Sequence, residues 1–233
     1  MRKFTPYTLI EIMIVMALAA VLVTLALPAF SALMRGNSVG ITCGMIKNTM
    51  DQAQARALTD RKFVATVFDL TGSVSGLTDM QAMRNCYVSS TSPYAFQSWV
   101  EESQWVKLDQ EAQILLQGNG GAGSNLTFPN NGGSTPNMST LVTVSSVRDA
   151  SSSNLPGVVY STYGHIVAPN SNFYFGVAEA TLANGNYIFK NPDANGRPTN
   201  TMAVKANHFT GRTQIAAINE AGKSNENTIF QLD

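Results

Sequence analysis

From Leu9 to Phe30 the chain runs 22 residues with one charged side chain, Glu11. About 20 consecutive apolar residues suffice for a helix to cross the hydrocarbon core of a bilayer. Arg2 and Lys3 precede the run, and the next cation is Arg35. That asymmetry places the N-terminus in the cytoplasm and the bulk of the chain outside. A cleaved secretory signal is the competing reading, with a small-residue cut near Ala29-Phe30-Ser31. Such signals carry an apolar core of about 7–15 residues, shorter than this one, and Glu11 does not suit one. A charge in a membrane helix costs roughly 2.5–3.5 kcal/mol on insertion scales, less near a helix end. Glu11 therefore needs a partner. The apolar run supplies no cation, so the partner is expected on another molecule or at the chain's own processed N-terminus. A glutamate snorkelling at a helix end is the simpler alternative.

The stretch Tyr7-Thr8-Leu9-Ile10-Glu11 closely resembles the FTLIE signature of type IV pilins and type II secretion pseudopilins. Pro28, 17 residues after Glu11, stands where many of those proteins carry a helix-weakening proline. The resemblance implies that residues 1–6 are a leader removed by a prepilin peptidase between Pro6 and Tyr7. It also implies that Tyr7 becomes an N-methylated N-terminus, and that Glu11 is the family's assembly glutamate. The family usually has Gly just before the cut, whereas Pro6 stands there in this chain. Proline fixes φ and lacks an N–H. The departure bears on cleavage and not on the resemblance itself. The partners implied are other pilin or pseudopilin subunits, the prepilin peptidase, the inner-membrane assembly machinery and membrane lipid. The role of Glu11 has a plain physical reason. A carboxylate in lipid attracts the N-terminal amine of a neighbouring subunit, and pairing offsets the desolvation of both.

Beyond the membrane segment, taken as residues 7–30, helical periodicity continues over 31–59. Val39, Cys43, Ile46, Met50, Ala53 and Ala57 recur at steps of three and four, an amphipathic stripe. Asn37, Lys47, Gln54 and Arg56 lie off it. Gly36, Gly40 and Gly44 are four apart. Small residues at that spacing allow close helix approach. Each glycine also weakens the helix by roughly 0.5–1 kcal/mol relative to alanine. A flexible linker is the alternative reading of the three.

From residue 60 to 233 the period changes to that of strands. Phe63–Phe68 reads as a first strand, and Met80–Arg84 as a short helix. Further strands are expected at 95–100, 104–108, 112–116, 141–147, 157–160, 165–168, 172–177, 186–189, 202–205, 213–218 and 228–232. Gly/Pro/Asn turn signals separate several of them. Gly118–Met138 reads as a long loop; its Gly-Asn-Gly-Gly-Ala-Gly run lacks the lysine and the following helix of a phosphate-binding loop. The expected fold is α+β: a long N-terminal helix, membrane-spanning in its first half, packed on an antiparallel β-rich domain. One helix followed by many strands resembles the GspH/FimT-like minor pseudopilins and minor pilins. His208-Phe209-Thr210-Gly211-Arg212 and Thr213-Gln214-Ile215 resemble that branch's closing turn and strand.

Chemistry is sparse. Net charge is zero and 13% of residues are charged, so no overall basic field favours nucleic acid. Lys190, Arg197, Lys205, Arg212 and Lys223 form either a local DNA-binding patch or scattered solvated charge. Cys43 and Cys86 lack any metal-ligand spacing. Outside the cytoplasm they are permitted one disulfide; otherwise they are two buried thiols. His165 and His208 come with no nucleophile or metal motif, and no cofactor or metal site is expected. Trp99 and Trp105 flank Glu101-Glu102 beside Tyr94 and Phe96, as core or as a carbohydrate platform. The function expected is a non-enzymatic minor pilin or pseudopilin. A DNA-binding or adhesive pilin is the nearest alternative, and a signal-anchored extracytoplasmic enzyme the alternative of another class.

Overall fold

The computed structural model describes residues 9–70, 81–109, 111–115, 141–149, 152–170, 173–183, 186–190, 192 and 200–217; within these, the side chains of 25–36, 174–175, 182–183, 186–187 and 216–217 are excepted. Pro6, Tyr7, the Thr71-Gly72-Ser73 turn, the Gly118–Met138 loop and the Thr228–Leu232 strand lie outside these residues.

The chain divides into two units, residues 1–37 and 38–233. The first holds helix α1, Leu9–Gly36. The second opens with helix α2, Ser38–Asp60. The helical stretch expected to run unbroken to residue 59 is therefore two helices, with a turn at Asn37. Glycine costs a helix interior about 1 kcal/mol, and asparagine's side chain competes for backbone hydrogen bonds. Gly36-Asn37 is where the ladder is weakest.

Two antiparallel sheets come after α2. The first has the order β3-β2-β1-β7-β6, with β4 added to β2 and β8 to β7. Its strands are β1 Val64–Asp69, β2 Ala82–Val88, β3 Phe96–Trp99, β4 Val106–Lys107, β6 Val142–Val144, β7 Leu155–Tyr160 and β8 Ile166–Ala168. The second has the order β10-β9-β11-β12, with β5 beside β9. Its strands are β5 Ala112–Leu115, β9 Phe173–Ala183, β10 Asn186–Phe189, β11 Thr201–Ala206 and β12 Thr213–Ala217. The fold class is α+β, with every ladder between these named strands antiparallel.

Two strand readings change. Of the short helix expected at Met80–Arg84, residues 82–84 are instead the start of β2, which pairs with β1 on one side and with β3 and β4 on the other. Five residues hold too little helical period to resist such pairing. Strand β9 runs on to Ala183, six residues past the expected end. Its Ala-Glu-Ala-Thr-Leu-Ala half has weak β propensity, but β5 and β10 pair with it.

Helix α2 contacts strands of both sheets: β1, β2 and β7 of the first, and β5, β9, β11 and β12 of the second. Val39, Cys43, Ile46, Met50, Ala53 and Ala57 are all fully buried. They share one cluster with Val64, Phe68, Met83, Val158 and Tyr160 from one sheet and Ile114, Val177 and Val204 from the other. Burying an aliphatic side chain of this size is worth about 1.5–3 kcal/mol, so this cluster dominates the fold. The outer face of the first sheet carries a second cluster. Ala65, Val67, Cys86, Val88, Leu155 and Val159 form its base, each one residue out of phase with the inner set, as strand alternation requires.

Buried side-chain amides join the layers. Asn85 on β2 accepts from Thr66 Oγ1 (2.8 Å) and donates to the Thr49 carbonyl of α2 (3.0 Å). Gln81 is fully buried. It accepts from Ile114 N–H (2.6 Å) and donates to Ile114 C=O (3.1 Å), so one amide imitates a β-bridge between the entry to β2 and strand β5.

Cys43 and Cys86 are both buried with free thiols. Cys43 lies in the inner cluster and Cys86 in the outer one, on opposite faces of the first sheet. Burial pushes each thiol up to about 12; at Cys86 the nearby Arg84 guanidinium opposes part of that rise. An unfolded thiol titrates near about 8.5. The native state thus favours the protonated thiol: its contribution is complete below the unfolded value and is lost as pH rises toward 12. Stability should be insensitive to the thiols at neutral pH and fall above about pH 8.5, less so after replacement of both cysteines by alanine. At mildly alkaline pH a thiol reagent should label the urea-unfolded chain much faster than the native one. Equal rates would contradict the burial.

Candidate functional site

Two regions of the described chain have the exposure and chemistry of functional surfaces. The first is α1. All side chains from Leu9 to Thr24 are exposed, including Leu9 (77%), Ile10, Met16 and Leu22 (68%). Glu11 lies in the first turn, where a carboxylate suits the helix dipole. A helix apolar on every side is one that another apolar medium or other helices must cover. Among the described residues no helix is long and apolar enough to cross a membrane; the side chains of α1 are described only as far as Thr24. Pro28 and Gly36 lie within α1 and Gly40 and Gly44 within α2. A Cβ added at Gly44 would meet nothing within 4 Å.

The second region is a pair of turns held against α2. Turn 161–165 joins β7 to β8, and turn 207–212 joins β11 to β12. The Gln54 amide donates to Gly164 C=O (2.8 Å) and to Thr210 C=O (2.7 Å), clasping both from the helix. Ile166 N–H donates to His208 C=O (3.0 Å). Within the second turn the Asn207 side chain accepts from the Phe209 and Thr210 amides, while Gly211 N–H closes on Asn207 C=O (2.8 Å). Within the first, Ser161 Oγ meets His165 Nδ1 (2.8 Å) and accepts from Tyr163 N–H. Both turns place a glycine in the left-handed region, Gly164 at φ 80° and Gly211 at φ 68°. A Cβ on Gly211 would lie 2.1 Å from Gly164 O and 2.5 Å from Gln54 Nε2. This is the physical reason for glycine in the His208–Arg212 motif.

The other candidates divide between the two sheets. Trp99 and Trp105 meet edge to face at 5.4 Å, and Phe96 meets Trp99 at 4.8 Å. The Arg84 guanidinium lies 4.0 Å above the Trp99 ring, and Trp99 Nε1 donates to Asp149 (3.1 Å). These half-buried rings pack against the outer cluster, and Arg84 covers one face of Trp99. Lys190 pairs with Glu111 at 2.6 Å, joining the end of β10 to the start of β5. Lys205 lies along β11, with its ammonium pushed below the usual lysine range by burial. Arg212 is exposed in the second turn, while Arg197 and Lys223 lie outside the described residues. Of the described members of the basic set, Lys190 is thus paired with Glu111, and Lys205 and Arg212 belong to the β11–β12 hairpin. Gln54, Gln81, Asn85 and Gly164 were missed as site or framework residues. Gln54 reads in the sequence only as polar and off the stripe.

No family model matches the sequence, and no curated protein matches it. Among solved structures, the minor pseudopilin EpsH from the Type 2 Secretion System of Vibrio cholerae aligns with 79% of this chain and 99% of that chain, at 12% identity and a TM-score of 0.39. At that score the likeness establishes neither a shared fold nor a shared function.

Substituting Gly211→Ala should cost about 1–2 kcal/mol for the left-handed backbone alone, with the clash in addition. Gln54→Ala should cost about 1 kcal/mol, since partly solvated carbonyls lose one donor. Because the first change already displaces Gln54, the double variant should lose less than the sum in urea titrations. Strict additivity would show that the clasp is not shared.

Proposed function

We propose that this chain is a non-enzymatic subunit of a type IV pilus or type II secretion pseudopilus, of minor type, assembling through its N-terminal helix. The observation that carries this reading is α1: sixteen consecutive exposed side chains from Leu9 to Thr24, nearly all apolar, with one carboxylate at Glu11. The apolar run from Leu9 to Phe30 is 22 residues long in the sequence, and about 20 suffice for a helix to cross a bilayer core. The Tyr7–Glu11 signature and the asymmetry of Arg2 and Lys3 support insertion with the N-terminus in the cytoplasm and residues 38–233 outside the inner membrane. In this reading lipid covers α1 before assembly and neighbouring helices cover it afterwards.

Glu11 then serves as the register device. Removing its charge from lipid by pairing with the amine of a neighbour's processed N-terminus offsets two desolvation costs at once. Pairing demands that the amine be created, so cleavage between Pro6 and Tyr7 and methylation of Tyr7 belong to the same proposal. The folded unit from Ser38 onward is carried by that helix and contacts other subunits.

Glu11→Ala should lower incorporation into filaments by about tenfold or more, the effect of losing roughly 1.4 kcal/mol or more of pairing, while the melting temperature of the soluble unit stays unchanged. Normal incorporation of the variant would remove the assembly role. Intact-mass measurement of the filament-borne subunit should show the chain starting at Tyr7 with one added methyl group. A start at Met1 refutes processing, and a start at Ser31 or Ala32 refutes the anchor.

A further inference from the structure

We draw no further inference here: the strongest candidate, the outer edge of strand β12 with its exposed Ile215, pairs with no strand among the described residues, and nothing in the structure shows what covers it.

Discussion

The inner face of α2 is the constraint on which the folded unit depends. Six apolar side chains, from Val39 to Ala57, are withdrawn from water by two sheets at once. A strand pair is marginal in water, and a sheet gains independent stability when one face packs on something apolar. Here a single helix supplies that packing for both sheets. Register depends on it in turn. A slip by one residue in β1 or β2 would carry Phe68 or Met83 to the outer face and bring Val67 or Cys86 inward. Asn85 and Gln81 reinforce the same register with directional bonds, since each amide meets its backbone partner only when the layers are in place.

The outer face of the first sheet shows how the remaining apolar surface is managed. No second helix covers it among the described residues. Trp99, Trp105 and Phe96 fold over it, with Arg84 lying across Trp99 and Trp99 bonded to Asp149. The aromatic rings satisfy one another edge to face, a favoured geometry for rings in contact. The clasped turns of the β7–β8 and β11–β12 connections differ, because Tyr163 and Phe209 are exposed while their backbones are tied inward.

The two units differ in how they treat apolar surface. Helix α1 exposes apolar side chains from Leu9 to Thr24, while α2 buries its apolar stripe against the two sheets. The turn residue Asn37 separates the two helices.

Local pattern was enough to reveal the apolar run and its lone carboxylate, the α2 stripe and the identity of most strands, because each is written in a short window with period near 3.6 or 2. It was enough, too, to single out His208–Arg212, though not to say why glycine stands there. What tertiary structure alone decided is everything that joins distant segments. Residues 82–84 became strand and not helix because β1, β3 and β4 all pair with β2, the strand they open. The two cysteines fell on opposite faces of one sheet. Lys190 was paired with Glu111 on the neighbouring strand's approach. Gln54, ordinary in the sequence, became the clasp of two turns more than a hundred residues away. Contacts of that kind depend on sheet order and register, and no local periodicity encodes which strand will lie beside which.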